Sequence, residues 1–358
     1  MIKCKDCGFP DTRPGLIFVD GKCGACINFE DRANIDWEER KGNLTTLCDM
    51  HRKESGYDCL IPVSGGKDSY FLVHTIVKEM GMHPLLVTVT DSFTHTKAGA
   101  HNLRNLITKF NLNHWQYTIS HDLFVRATRA AFEGTGEALS FVEWAIYTIP
   151  TMLAQKLGIG LVVYGENSAY QYGTSTDDEA YANRQLEKMV ENIECSRAWW
   201  NSKGTTSAEV DSILPEVPIK PKVLFMSHFF PWSSVTNLEV AQRYGFRTLE
   251  GEWDRKGTCE NFEQIDSQAY LIHLWLKYPK FGFQRVTDIA TRRLREGLMT
   301  REECDKVIAE HDHELDPIAP KDFCQTLGYT KREFVKIVKT FNKAKIRFRK
   351  PRKAGVAQ

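Results

Sequence analysis

The chain has 358 residues, which is enough for one large domain with appendages or for two domains with separate cores. Its 47 Lys and Arg residues nearly balance its 46 Asp and Glu residues, so the overall charge does not indicate nucleic acid or a membrane surface as a partner. Neither a signal peptide nor an apolar run of membrane-spanning length is readable, and we therefore expect a cytoplasmic protein.

Residues 1–30 are rich in Cys, Gly and Pro and contain two C-x-x-C pairs, Cys4 with Cys7 and Cys23 with Cys26. Four thiolates at this spacing can surround one Zn²⁺ tetrahedrally, and the ion would stabilise a module too short to bury a core. We therefore predict structural zinc. Disulfides are disfavoured in a reducing compartment, and an iron–sulfur site is the open alternative.

The remaining chain divides into three predicted regions, which are a helical linker (31–55), an alternating region (56–250) and a helical C-terminal region with a basic tail (251–358). The tail, from Lys331 to Lys353, could hold RNA or an anionic membrane, but a solvated helix surface followed by a frayed end is the commoner case. In the alternating region the predicted strands are 58–63, 84–90 and 160–164, and the predicted helices are 70–80, 99–110 and 139–157. This alternation predicts an α/β fold, with a parallel sheet covered on both faces.

Composition and helical spacing predict an insertion in the alternating region and three helices in the C-terminal region. Residues 168–220 break the alternation, and we interpret them as an insertion over an active-site mouth that contains a helix at 178–195, with a disordered loop as the alternative. The C-terminal region is predicted to form helices at 267–278, 288–298 and 300–311.

The strongest chemical signal is the glycine loop, Ser64-Gly65-Gly66-Lys67-Asp68-Ser69, between a predicted strand and a predicted helix. Adjacent glycines let the backbone approach an anion, and the helix start directs its N–H groups to the same point. Ser64, Ser69 and Lys67 add donors, and Asp68 suits a Mg²⁺ ion bound to a phosphate. The loop is neither a Walker A loop nor a dinucleotide fingerprint. A turn that merely caps a helix is the alternative.

Polar residues also follow two other predicted strands. Asp91 ends the strand at 84–90, and Gly165, Glu166 and Asn167 follow the strand at 160–164. Because the carboxyl ends of parallel strands meet at one edge of a sheet, these residues are expected to face one crevice. Glu166 could bind a second Mg²⁺ or the substrate, and Asn167 could hydrogen-bond a reacting amide group if the substrate carries one. Ordinary strand-end turns would explain both segments without a function.

The glycine loop resembles the loop of the N-type ATP pyrophosphatases, whose pattern is S-G-G-x-D-S and whose fold is the parallel-sheet PP-loop (HUP-like) domain. The resemblance implies that the loop binds the pyrophosphate of ATP, with Lys67 and Asp68 as catalytic residues. It also implies that Val89, Thr90 and Asp91 border the adenosine.

Short motifs extend along nearly the whole chain. Besides the four cysteines and the glycine loop, they are Ile35–Arg40, Gly56–Cys59, Gly165–Asn167, Phe229–Trp232, Tyr244–Phe246, Phe281–Phe283, Thr287–Asp288 and Arg295–Glu303. Together these segments resemble the N-acetyl sugar amidotransferase family of surface-polysaccharide and flagellar-glycan synthesis. The departure is Tyr172-Gly173-Thr174, where that family has Tyr-Gly-Gly.

This resemblance implies an ATP-dependent, AMP-forming enzyme that converts an acetamido group to an acetamidino group on a nucleotide sugar or a nonulosonic acid. Glutaminase signatures are not found, since the Gly-x-Cys-x-Gly elbow is missing and residue 2 is Ile. Ammonia is therefore expected from a separate glutaminase, in this family one that resembles those of histidine biosynthesis and works with a cyclase-like barrel. A tRNA-thiolating enzyme, with Cys195 or Cys259 as catalytic thiols, is the main alternative. A non-catalytic zinc adapter is a third reading, which the intact glycine loop disfavours.

Overall fold

The computed structural model describes residues 2–165, 173, 197–213 and 221–345. Within these residues the strands form a short antiparallel hairpin and a five-stranded parallel sheet. The hairpin pairs β1 (Phe18–Val19) with β2 (Lys22–Cys23). The sheet contains β3 (Cys59–Pro62), β4 (Pro84–Thr90), β5 (His114–Thr118), β6 (Leu161–Tyr164) and β7 (Lys222–Phe225).

The spatial order of the sheet is β5-β4-β3-β6-β7. The chain runs outward from β3 through β4 to β5, then returns to the other side of β3 with β6 and β7. The direction of winding therefore reverses between β3 and β6, and α/β sheets bind ligands in the crevice outside the carboxyl ends of the strands at such a point. The glycine loop follows β3 and Gly165 follows β6, so both lie at this point.

The helices cover both faces of the sheet. Those before the insertion are α1 (Gly24–Asp31), α2 (Trp37–His51), α3 (Lys67–His74), α4 (Lys97–Phe110), α5 (His121–Thr135) and α6 (Ser140–Lys156). Those after it are α7 (Arg197–Ser202), α8 (Ser207–Asp211), α9 (Ser234–Arg243), α10 (Tyr270–Trp275), α11 (Lys277–Phe281), α12 (Arg285–Arg295), α13 (Arg301–His311), α14 (Ile318–Leu327) and α15 (Lys331–Thr340).

The alternating direction of side chains along the strands explains why an apolar core lies on each face of the sheet. In β3 the side chain of Ile61 packs on one face with Leu72 of α3 and Ala241 of α9, whereas Leu60 packs on the other face with Ala154 of α6. Successive residues of a strand point to opposite faces, and a strand apolar on both faces must be covered twice. The predicted α/β class, with a cysteine cluster before the sheet and helices after it, is confirmed.

The helices of the C-terminal region differ in detail from the sequence prediction. The helix expected at 267–278 begins only at Tyr270, because Ser267 pairs with His95 in a β-bridge, and it is divided into α10 and α11. Helix α12 extends from Arg285 to Arg295, slightly before the predicted range, and α13 begins after a capping box of Thr300 and Glu303. Helix α5, strand β7 and helix α9 were not predicted, whereas α14 and α15 lie in the C-terminal region that was predicted to be helical without bounds for them.

Two predictions concern residues that the structure does not describe. The helix expected at 178–195 and most of the 168–220 insertion lie outside the described residues. Among the described helices, none has the length and apolar character needed to cross a bilayer.

Candidate active site

A cavity of roughly 540 Å³ lies at the carboxyl edge of the sheet. Its volume is in the range of small-molecule pockets. The glycine loop and the ends of β3, β4, β6 and β7 form one side of the cavity, and α6, α10, α12 and the N-terminal module form the others. The cavity therefore connects the sheet to both of the flanking regions that were predicted separately.

The glycine loop has the closed conformation expected of an anion-binding turn. Gly65 has φ of +86°, and a Cβ there would lie 2.6 Å from the backbone nitrogen of Leu103. Only glycine adopts this conformation in this space without strain. The Ser64 N–H donates to Ser69 Oγ at 3.2 Å, which joins the two ends of the loop. Helix α3 begins at Lys67, so its unpaired N–H groups open toward the cavity.

The two charged residues of the loop are held by named partners. Lys67 Nζ lies 2.8 Å from Asp68 Oδ2, and Asn237 Nδ2 of α9 donates to Asp68 Oδ1 at 2.7 Å. Burial opposes the charge of Lys67, but the carboxylates of Asp68 and Glu263 outweigh it and raise the pKa of the lysine. Both groups line the cavity, where a phosphate would meet them.

Asp68 also fits the predicted Mg²⁺. Its side chain keeps 29% of its surface exposed, and its two oxygens accept one hydrogen bond each. A carboxylate has about four acceptor positions, so capacity remains for a cation. Mg²⁺ commonly binds proteins through one or two carboxylates, with phosphate oxygens and water completing its shell.

Glu263 is the buried centre of the charge network beside the loop. Its Oε1 lies 3.3 Å from Lys67 Nζ and 2.5 Å from Arg292 Nη2, and its Oε2 accepts a bond from Arg285. Burial alone would raise the pKa of this carboxyl group, yet the three cations hold it well below its usual range. Glu263 thus stays ionised and fixes cations from α3 and α12 at the cavity.

Most of the described residues that the sequence predicts at the strand ends line the cavity, with three exceptions. Ser64, Gly66, Lys67, Asp68, Ser69, Val89 and Gly165 line it, whereas Gly65, Thr90 and Asp91 do not. A Cβ at Gly165 would lie 3.8 Å from Asp68 Cβ, so the ends of β3 and β6 meet there. Glu166 and Asn167 lie outside the described residues, and their roles stay predictions.

The side of the cavity nearest α6 is apolar and aromatic. It includes Ile146, Tyr147 and Pro150 of α6, together with Tyr164 at the end of β6. Pro150 has no N–H for the carbonyl of Ile146, and the Tyr164 hydroxyl lies 3.3 Å from that oxygen and 2.9 Å from the Tyr147 oxygen. A fixed apolar surface of this kind suits the flat face of a nucleobase.

A second carboxyl group, Asp266, lies where the C-terminal region touches the glycine loop. It lines the cavity, and its Oδ1 atom is buried with no hydrogen-bond partner among the described residues. Burial and the neighbouring Asp91 raise its pKa to about 7. Asp91 itself accepts from the Phe93 N–H at 2.8 Å and from Ser267 Oγ at 3.1 Å, so it stabilises the turn after β4.

The four cysteines of the N-terminal module converge as predicted. All four are buried and their sulfur atoms lie within 4.8 Å of one another. Cys4 and Cys26 are 3.8 Å apart at sulfur, and Cys7 and Cys23 are 3.6 Å apart. Four sulfurs at about 2.3 Å from a central ion lie about 3.8 Å apart, so the cluster fits one tetrahedral Zn²⁺. Hydrogen bonds from Cys23 and Cys26 lower the pKa of Cys7, which favours a thiolate.

This module is docked on the C-terminal helices. Phe9 packs edge-on against Phe283 with ring centroids 5.3 Å apart, and Thr12 Oγ1 donates to the Phe281 carbonyl at 2.7 Å. Arg13 forms an ion pair with buried Asp288 at 2.9 Å. Because of this contact, residues from the first 32 positions reach the cavity.

Several residues beside the glycine loop had no predicted role. Glu263 and Asp266 line the cavity, and Asn237 donates to Asp68; all three stand in segments without a motif, and only the fold places them at the loop. A charged residue inside a run such as Phe262-Glu263-Gln264-Ile265 is a weak signal, since burial is not readable from one sequence. Arg295 and Glu296 belong to a segment that resembles the amidotransferase family, but no role was attached to them.

Comparison with known families finds one match. Residues 256–357 match the model described as "LPS biosynthesis protein WbpG-like, C-terminal domain". The C-terminal region of this chain is thus similar to a domain of lipopolysaccharide biosynthesis. The match includes Glu263, Asp266 and all of α12, so it covers one side of the cavity. No curated protein matches the sequence significantly.

Three solved structures show a distant likeness. NMN synthetase from Francisella tularensis has 11% identity and a TM-score of 0.33, with 84% of this chain and 96% of that chain covered. NH3-dependent NAD synthetase from Campylobacter jejuni has 12% identity and a TM-score of 0.32, with 61% and 98% covered. U34-tRNA thiolase from Methanococcus maripaludis has 12% identity and a TM-score of 0.33, with 83% and 87% covered.

Proposed function

We propose that the protein is an ATP-dependent, AMP-forming amidotransferase that converts an acetamido group of a sugar to an acetamidino group. The observation that carries the proposal is the glycine loop, placed at the switch point of the sheet with Lys67 and Asp68 facing a cavity. The similarity of residues 256–357 to a lipopolysaccharide biosynthesis domain supports a sugar as the second substrate.

The first step needs a leaving group to be stabilised. The amide oxygen of the sugar attacks the α-phosphorus of ATP, the bond from that phosphorus to the bridging oxygen breaks, and pyrophosphate leaves. The glycine-loop amides, the hydroxyl of Ser69 and the charge of Lys67 stabilise the negative charge that develops on the pyrophosphate. Asp68 would hold Mg²⁺, which supplies charge neutralisation on the phosphates when bound.

The second step replaces oxygen by nitrogen. Ammonia attacks the carbon of the adenylated amide, and the bond from that carbon to the oxygen of AMP breaks. Water attack at the same carbon would regenerate the amide and consume ATP without product. The apolar side chains of Ile146, Pro150 and Phe225 line the cavity and exclude water there.

The source of ammonia belongs to the same proposal. We infer that a separate glutaminase delivers it, since the sequence contains neither glutaminase signature. Ammonium chloride should therefore sustain the reaction of the isolated chain, whereas glutamine should sustain it only after the glutaminase is added. Product formation from glutamine by the chain alone would contradict this inference.

The decisive experiment is pyrophosphate release from Mg-ATP with ammonium chloride, screened against UDP-diacetamido sugars and nonulosonic acids. We expect AMP and pyrophosphate in equal amounts, and a sugar product one mass unit lighter because NH replaces oxygen. Asp68→Ala is the matched inactive variant, and Asp254→Ala, a change at an exposed acid outside the cavity, is the active control.

The same screen tests the alternative of tRNA thiolation. That reaction requires a catalytic cysteine at the ATP site, and among the described residues the cavity is lined by no cysteine. Cys259 lies outside it, and burial raises the pKa of its thiol to about 11, so it is a poor nucleophile at neutral pH. Turnover with tRNA and a sulfur donor, without turnover on any sugar, would overturn the proposed function.

A further inference from the structure

We propose that the N-terminal module and helix α12 form a subsite that binds an oxyanion, a phosphate or a carboxylate, of the second substrate. The cationic side chains that line this cavity outside the glycine loop are here called the basic wall. It consists of six cationic side chains, Arg13, Arg32, Lys277, Arg285, Arg292 and Arg295. The inference rests on the proposed function in one respect, that the cavity holds a second substrate beside ATP.

Among the described residues, two buried carboxylates are each shared between cations of the basic wall. Asp288 is shared by Arg13 and Lys277, and Glu263 is shared by Arg285 and Arg292. Each of these buried carboxylates therefore faces two cations of the wall. Burial and the charges of Arg13 and Arg285 lower the pKa of Lys277, and they outweigh Asp288, which raises it. Cations crowded in this way gain stability from an added anion.

Two arginines of the wall form a second layer beside Glu296. Arg32 and Arg295 line the cavity near Glu296, and burial raises the pKa of that carboxyl group. Glu296 Oε2 is buried without a hydrogen-bond partner among the described residues. A buried acceptor that lines a cavity is satisfied when a ligand hydroxyl or amine donates to it, and sugars carry such donors. The arginines and Glu296 together suit a ligand that is both anionic and hydroxylated.

The N-terminal module contributes directly to this layer. Arg32 follows α1 and lies over the rings of Phe29 and Trp37, at 5.7 Å and 5.5 Å from their centroids. Arg295 Nη1 lies 3.5 Å from Cys7 Sγ, so a cavity arginine also touches a sulfur of the predicted metal centre. The four-cysteine cluster is therefore in direct contact with the wall at Arg295. Arginine is the residue suited to this task, because its planar fork matches phosphate and carboxylate oxygens.

The test measures binding without turnover. Isothermal titration is carried out on the full chain with the ATP site saturated by Mg²⁺ and α,β-methylene-ATP. Three acetamido sugars are the probes, namely UDP-N-acetylglucosamine with a diphosphate, N-acetylneuraminic acid with a carboxylate, and neutral N-acetylglucosamine. We expect at least one anionic probe to bind more tightly than the neutral sugar, and the one that binds identifies the phosphate or the carboxylate as the recognised group.

Two variants locate the binding. Arg32→Gln should weaken the anionic probe roughly tenfold or more, since a charge-assisted hydrogen bond is lost, and Arg295→Lys should weaken it less because charge is kept. Arg293→Gln is the matched control, because Arg293 lies on α12, like Arg295, but does not line the cavity. Zinc content is measured in each variant to show that the cysteine cluster is intact.

Three outcomes would overturn the subsite. The first is binding of both anionic probes no tighter than that of N-acetylglucosamine, and the second is an Arg32→Gln variant that binds the probes like Arg293→Gln. An equal loss of affinity for α,β-methylene-ATP in Arg32→Gln would show that the wall serves ATP instead. Failure of the proposed function is distinguishable, since it would appear as probe binding at the wall with no AMP or pyrophosphate from any sugar.

Discussion

The glycine loop and the basic wall line one cavity but are built in different ways. The loop is six consecutive residues, 64–69, whose strand and helix neighbours fix its shape locally. The wall collects Arg13 from the N-terminal module and Arg32 from the start of the linker. It takes Arg285 and Arg295 from α12, more than 250 positions away along the chain. The geometry of the wall therefore depends on how the module docks, through Phe9, Thr12 and Arg13, whereas the loop is shaped mainly by the strand before it and the helix after it.

This difference predicts that the two halves of the cavity can be damaged separately. A change in the loop should reduce the reaction of ATP and leave the wall in place. A change in the module should disturb the wall and leave the affinity for ATP nearly unaltered. The experiments below test this separation, beginning with the largest expected effect.

Replacing both Cys4 and Cys7 by Ser should release the metal from the module. The expected loss is roughly 5 kcal/mol or more of folding free energy of the module, because structural zinc supplies folding energy directly. Zinc content is measured by atomic absorption, and affinities for α,β-methylene-ATP and the anionic sugar probe by titration. Sugar affinity should fall and ATP affinity should stay. Cys324→Ser, at a half-buried cysteine of α14, is the control. Unchanged zinc content would refute the metal assignment.

Asp68→Ala should lower the rate of pyrophosphate release about a thousandfold, since the loop loses its Mg²⁺ ligand and Lys67 loses an ion pair. The melting temperature should change little, because Lys67 retains Glu263 at 3.3 Å. The assay is steady-state pyrophosphate release, with circular dichroism to confirm the fold. A variant that releases pyrophosphate at the normal rate would remove the role given to Asp68.

Gly65→Ala should destabilise the protein by about 2–3 kcal/mol in urea unfolding. The alanine would have to adopt a φ of +86°, which strains an L-residue. Its Cβ would also lie 2.6 Å from the backbone nitrogen of Leu103. Gly66→Ala is a close control, because the backbone there is extended and the nearest atom is Ser64 Oγ at 3.3 Å. Equal effects of the two changes would show that local geometry of the loop is not specific to Gly65.

Asp266 should give the protein a pH dependence of stability. Its pKa is raised to about 7 in the folded chain, above the ordinary value near 3.8, so the folded state binds the proton more tightly. The stabilisation is complete below about pH 4 and is lost as the pH rises to about 7. We expect a loss on the order of 1–2 kcal/mol, reduced by partial exposure, and Asp266→Asn should abolish it. Urea unfolding at pH 5 and pH 7.5 measures it, and an identical pH slope in both proteins would contradict the assignment.

Features that depend on local sequence were predictable. The strands at 59–62, 84–90 and 161–164, the helix at 140–156, the four-cysteine cluster and the glycine loop all carry short-range signals, and each is present in the structure. Strand alternation, paired C-x-x-C spacing and adjacent glycines describe neighbours within a few residues, so one sequence is enough to read them.

Other features were decided only by tertiary structure. The reversal of strand order between β3 and β6 brings Gly165 to Asp68, and packing of α9 brings Asn237 to the same carboxylate. Glu263 and Asp266 are buried or half-buried polar residues with no motif, and their neighbours come from distant segments. Side-chain burial and charge pairing across hundreds of residues depend on how whole elements pack, which local patterns do not encode. For this reason the sequence determined the loop, and the fold decided what faces it.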